Sequence, residues 1–123
     1  HAGKIEKAMF YLGAIVHLVQ DMTIPQHVNI RLMDSHRQYE TFVKKTYDEV
    51  EVFKAYEGGI YLNSVEEFIS YNAKIAMKIY KKFYCVPEEE RRFFRITKYT
   101  LPLAEKTTAG CFLMFYRNIS KRI

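Results

Sequence analysis

The sequence contains no tryptophan, two cysteines, three prolines and five glycines. Two cysteines are too few for a disulfide framework, and Cys85 and Cys111 lack metal-ligand spacing. They read as two buried thiols or as one bridge. So little glycine and proline excludes a collagen-like repeat and a low-complexity linker. A long hydrophobic run is also absent. The longest, from Ala8 to Val19, stops at Gln20 and Asp21, whereas a bilayer-spanning helix needs roughly 20 apolar residues. The chain has no signal-peptide pattern and no initial Met, so His1 reads as the edge of a processed product or a fragment. Acidic charge is in deficit, with 14 Asp and Glu against 19 Lys and Arg, a net charge of +5. Such a balance draws phosphate-bearing partners, nucleic acid or anionic lipid, without choosing between them.

What the chain does have is helical periodicity. Its 123 residues are 49% hydrophobic and 27% charged, enough for one domain that buries roughly two-thirds of its unfolded surface. Ile5, Ala8, Leu12, Ile15, Val16 and Val19 recur at spacings of three and four, predicting a helix from about Lys4 to Met22 with one apolar face. Pro25 ends it. Ser35 and Gln38 form a capping box that opens a second helix, continued by Tyr39, Phe42, Val43, Tyr47 and Val50 to about Phe53. Gly58 and Gly59 mark a loop, and Ser64 with Glu67 forms another capping box. That helix carries Val65, Phe68, Ile69, Ala73, Ala76, Ile79 and Phe83 inward. A final helical region follows Pro87 to the C-terminus, with a kink or restart expected at Pro102. The expectation is an all-α bundle of four to five helices in a single domain.

Ten Tyr and nine Phe are many for this length. They follow the same helical faces as the aliphatics, so they are expected in the core. Lys78, Lys81, Lys82, Arg91 and Arg92 read as solvated faces.

The informative segment lies between His17 and Glu40. His17 and Asp21 are four apart, so on a helix both project from one face, one turn apart. His36 and Glu40 repeat the spacing, and His27 follows Pro25 by two residues. One such pair is an ordinary hydrogen-bonded neighbour. Two pairs and a loop histidine within 24 residues supply what a metal site in a helical bundle requires. Imidazole and carboxylate without thiolate suit Zn²⁺ before Mn²⁺ or Fe²⁺. Gly13 and Ala14 leave the turn beneath His17 nearly bare, with room for a metal and its water.

These residues resemble a known family. Phe10-Tyr11-Leu12-Gly13, then His17, Asp21, Pro25 and His27, then His36, Tyr39 and Glu40, are similar to the bacterial zinc-dependent phospholipases C. That family includes secreted enzymes that cleave phosphatidylcholine and the catalytic domain of clostridial alpha-toxin. Tyr99-Thr100-Leu101 and Lys106 to Gly110 resemble its closing helix. The resemblance implies a secreted enzyme in which up to three zinc ions activate water and hold the phosphodiester, giving diacylglycerol and a phosphorylated headgroup. It implies that His17 and Asp21 are half of one zinc site, Asp21 also bridging to another, and that His27, His36 and Glu40 bind a separate zinc. Asn29 stands one residue closer to His27 than the family's Asn does, in a short loop. Nothing like the family's N-terminal half precedes Ala2. The chain is therefore expected to be the C-terminal part of a larger catalytic domain, binding one or two zinc ions itself and completed by an N-terminal segment.

Two classes of function follow. One is phosphodiester hydrolysis at phospholipid headgroups on a membrane surface. The related zinc-dependent single-strand-specific nucleases share the architecture but not the His36–Glu40 spacing, so lipid is favoured over nucleic acid. The alternative is a non-catalytic, zinc-stabilised helical module that binds a membrane or protein partner.

Overall fold

Periodicity resolves into four α-helices and one 3₁₀ turn in a computed structural model that describes residues 2–25, 36–55 and 58–121. They are α1 (Ala2–Asp21), α2 (His36–Thr46), the 3₁₀ turn Glu51–Phe53, α3 (Val65–Phe83) and α4 (Glu89–Ser120). No strand occurs among the described residues, so the all-α expectation stands.

α3 starts where its capping box places it. Ser64 Oγ accepts from the Glu67 N–H at 3.2 Å, capping one orphan donor, and Glu67 Oε2 reaches past Ser64 to accept from the Asn63 N–H at 2.9 Å. Ser35 lies outside the described residues, and the other capping box with it. α2 stops earlier than the periodicity implies, at Thr46 instead of Phe53. Thr46 turns its hydroxyl back onto the Phe42 carbonyl (2.8 Å), Tyr47 is exposed, and the chain re-forms as the 3₁₀ turn. The early stop has a packing reason. It lets Phe53 enter the interior beside Phe42 and Phe94, with ring centroids 6.3 and 5.2 Å away.

α4 is the spine, and it does not restart at Pro102. The proline removes one N–H, whose acceptor would have been the carbonyl of Lys98, an exposed residue. Buried Thr100 and Leu103 hold the helix on either side. One hydrophobic cluster joins Leu12, Val16 and Val19 of α1 to Phe68 and Cys111. A second joins Tyr39 to Ile79, Phe83, Phe93 and Ile96. α4 contributes to both.

Three further expectations are corrected. Ile5 is exposed and Ala8 only half-buried, so the apolar face of α1 is covered only in its C-terminal half. Among the described residues ten Phe and Tyr are exposed and five buried, so the aromatics are not mainly core. Both cysteines are free thiols, and only Cys111 is buried, which pushes its thiol pKa up. No helix among the described residues is long and apolar enough to cross a membrane.

The end of α1, which carries Asp21, is pinned by complete use of its last carbonyls. Leu18 O accepts from Met22 N, Gln20 O from Thr23 N and Asp21 O from Ile24 N. Val19 O, the remaining orphan, takes the buried Asn72 Nδ2 at 2.9 Å. Asn72 Nδ2 also donates to Thr107 Oγ1 at 3.0 Å, so one α3 side chain ties α1 to α4. Asn72→Leu, close in volume, is expected to cost about 2 kcal/mol because it strands the Val19 carbonyl away from water. Urea unfolding measures it, and a change below about 0.5 kcal/mol, the ordinary surface value, would count against the tie.

Candidate functional site

The C-terminal turn of α1, the inner face of α2 and the middle of α4 enclose a cleft of about 690 Å³. His17, Gln20 and Asp21 line it from α1, Tyr39 and Val43 from α2. From α4 come Thr100, Leu101, Glu105, Thr108 and Phe112, among others.

His17 and Asp21 meet as their spacing requires: Nε2 and Oδ2 are 3.3 Å apart. The imidazole is 76% exposed and the carboxylate 26%, so the pair is open to the cleft and not sealed in the core. Asp21 is also the last residue of α1, whose final turn holds no Lys or Arg. A carboxylate at the negative end of a helix dipole is electrostatically unfavourable, and a bound cation would relieve it.

Imidazole and carboxylate are donor types that zinc takes, and this pair could supply two of its ligands. With Zn–N and Zn–O bonds of about 2.0 to 2.2 Å, the edge of a ligand tetrahedron is about 3.4 Å, close to the observed separation. Space is also present, since a Cβ added to Gly13 beneath His17 would meet nothing within 4 Å. Among the described residues no third His, Cys, Asp or Glu joins the pair to form a metal-binding group.

The other predicted ligands are placed less fully. His27 lies outside the described residues, as does the side chain of His36, whose backbone opens α2. Glu40 is exposed on α2 and engaged in an interaction of its own. α2 nevertheless borders the same cleft through Tyr39, which fixes the helix rotation. The Tyr39 hydroxyl lies 3.1 Å from both Thr100 Oγ1 and Thr97 Oγ1, and Thr97 Oγ1 donates to the Phe93 carbonyl at 2.7 Å. Tyr39 also meets Phe93 edge-on at 5.3 Å. Burial pushes the Tyr39 pKa up, against the smaller opposing effect of its two threonine partners, so the hydroxyl stays neutral.

Sequence reasoning missed Gln20, Glu105, Thr108 and Phe112. Gln20 Nε2 donates to Thr108 Oγ1 at 2.9 Å, closing the floor between α1 and α4. Glu105 brings a carboxylate to the α4 wall, and its Oε2 accepts from the Ala55 N–H at 2.7 Å. No local signal marks Glu105, because its approach depends on how α4 lies across α1.

A comparison with protein families matches residues 1–102 to the zinc dependent phospholipase C family. The match includes His17, Asp21, His27, His36 and Glu40 and ends before Lys106. No curated protein and no solved structure matches the chain. Since the matched stretch takes in all of α1 and α2 and the first half of α4, the chain belongs to the zinc-dependent phospholipase C family, a family of hydrolases.

Proposed function

We propose that this protein hydrolyses the phosphodiester bond of phospholipids, releasing diacylglycerol and a phosphorylated headgroup outside the cell. The observation that carries the reading is the His17–Asp21 pair, 3.3 Å apart on the wall of a cleft large enough for a headgroup and its glycerol. His17 and Asp21 would hold one zinc, and His27, His36 and Glu40 another. Zinc, when bound, supplies Lewis acidity toward a phosphodiester and its attacking water. The chain's own groups do the rest. Val43, Leu101 and Phe112 line the cleft with apolar surface suited to the glyceride end. Gln20 and Thr108 offer neutral polar groups to ester or phosphoryl oxygens. Glu105 offers a carboxylate on the facing helix that can take a proton or meet a cationic headgroup.

The test begins with zinc itself. Zinc titration by calorimetry, on the protein and on a His36→Ala/Glu40→Gln double variant, is expected to show at least one fewer zinc in the variant. Affinity is expected to fall as pH drops through the ordinary imidazole range near about 6.5, because protons compete for the ligands. An unchanged zinc count in the double variant removes the second site. Zinc binding without turnover of a soluble phosphatidylcholine analogue, even after the expected N-terminal part of the domain is supplied, favours the non-catalytic module.

A further inference from the structure

The outer face of α3 carries charge of one sign. Between Glu67 and Glu88 no acidic residue occurs, while Lys74, Lys78, Lys81 and Lys82 are all present and all exposed. At 100° per residue the four fall within an arc of about 100°, on the far side from the buried Ala76 and Phe83. A solvated helix face ordinarily interleaves both signs as pairs three or four residues apart. The start of α4 does so, where Arg91 meets Glu88 at 3.7 Å and Arg92 meets Glu89 at 4.0 Å. None of the four α3 lysines has a carboxylate partner among the described residues. Lys81 and Lys82 suit the negative end of their helix, but Lys74 and Lys78 stand too far back for that.

The charged face continues onto α4. Lys82 and Lys98 place their ammonium groups 5.7 and 5.9 Å from the centre of the same Tyr99 ring, against which Phe83 is stacked at 5.7 Å. Lys54 lines a groove with Lys98 and Tyr99 and is offset by Glu51 at 3.4 Å. Tyr99 is two residues from Leu101 of the His17 cleft, about 160° around α4, so the two faces are separate. The Gln20–Thr108 bond and the packing of Leu12 and Val16 with Cys111 and Phe115 run α1 antiparallel to α4. α1 therefore begins beside the last turns of α4, whereas Lys98 stands 17 residues before Phe115, roughly 25 Å along the axis. Any protein segment laid over this face would bury ammonium groups and would have to bring acids of its own.

We propose that this lysine face of α3 and α4 binds a sulfated glycan chain. Lys74, Lys78 and Lys82 follow one another at a rise of about 6 Å, so a linear polyanion can meet one lysine per turn. Three features favour the glycan over other anionic partners. Tyr99, the ring at the centre of the face, already carries Phe83 and two ammonium groups, so it is no stacking platform for the bases of a single-stranded nucleic acid. The cations are lysines, compact point charges, and not the arginine forks that clasp phosphate bidentately. The apolar side of α3 is buried in the core, so this helix has no face to insert into a headgroup layer. A polyanion of the cell exterior also accords with the extracellular action proposed above, and the choice of glycan rests in part on that reading.

The experiment measures binding of a heparin hexasaccharide to the full chain by calorimetry, beside an oligothymidylate of equal charge. The hexasaccharide is expected to bind more tightly, with an affinity that falls as salt is raised. Lys78→Glu/Lys82→Glu is expected to weaken it at least about tenfold, since attraction becomes repulsion at the centre of the row. Lys4→Glu/Lys121→Glu makes the same change in net charge far from the row and is expected to cost less than about twofold. All four side chains are exposed, and circular dichroism checks that each variant is folded. Equal losses in the two variants overturn the proposal, because net charge alone then accounts for binding. So does a parent that ignores the hexasaccharide, or one that holds the oligothymidylate as tightly. The two readings fail separately. Glycan binding by a chain that turns over no soluble phosphodiester, even with the N-terminal part of the domain supplied, sinks the hydrolase reading alone. Turnover without glycan binding sinks this proposal alone.

Discussion

Replacing Asp21 by asparagine is expected to lower hydrolysis of a soluble phosphodiester by at least about 100-fold, the low end of what losing a charge-stabilising or proton-transferring group costs. The substitution keeps size and removes the anionic donor from a pair whose 3.3 Å separation fits a zinc tetrahedron. His17→Ala is expected to act in the same direction and is the cleaner probe. Its imidazole is largely solvent-exposed, so its loss should change stability by no more than about 0.5 kcal/mol. A large loss of turnover and of bound zinc at an unchanged melting temperature is the signature of a ligand. The pair as a mere helix-end contact predicts the reverse, a small change in stability and none in zinc content. Activity that survives both substitutions removes this pair from the mechanism.

Gly110→Ala is expected to destabilise the protein by about 2 to 3 kcal/mol, a fall in melting temperature of roughly 10 °C for a chain of this size. Helix propensity alone predicts the opposite sign, since alanine is favoured over glycine by about 1 kcal/mol inside a helix. Contact decides the outcome. A Cβ at Gly110 would overlap the Ile60 carbonyl oxygen and lie 2.8 Å from the Ile60 carbonyl carbon. That carbonyl belongs to a backbone held against α4 by the Ile60 N–H donating to Lys106 O at 3.0 Å. Gly59 is tight as well, 3.1 Å from Lys106 O when given a Cβ. The 58–60 segment and α4 thus approach backbone to backbone, and only glycine permits it. Gly13→Ala is the control, with nothing within 4 Å of the added atom. It should stabilise by up to about 1 kcal/mol. If Gly110→Ala stabilises as much, the close approach is not part of the folded state.

Helix identity was legible because it is written locally. The Ser64 hydroxyl and the Glu67 carboxylate act on donors within four residues, so the start of α3 needed no partner to be visible. The His17–Asp21 pair was legible for the same reason, since one helical turn joins its members whatever surrounds them. Where α2 ends was not legible, because Tyr47 fits the helical pattern and only the pull of Phe53 into the aromatic cluster shows why the helix stops. Nothing local marks Asn72, whose role depends on the Val19 carbonyl of another helix.

The sequence by itself determined the helices, the capping of α3 and the four-residue pairing of imidazole with carboxylate, since each depends on neighbours within a turn or two. Tertiary structure alone decided that Glu105, Thr108 and Phe112 face His17 across a cleft. It alone decided that Pro102 is carried through α4 without a restart, and that the first half of α1 stays uncovered. Those outcomes depend on the antiparallel register of α1 against α4. That register is set by packing at Val16, Cys111 and Phe115 and by one bond between residues 88 positions apart, a separation over which local periodicity carries no information.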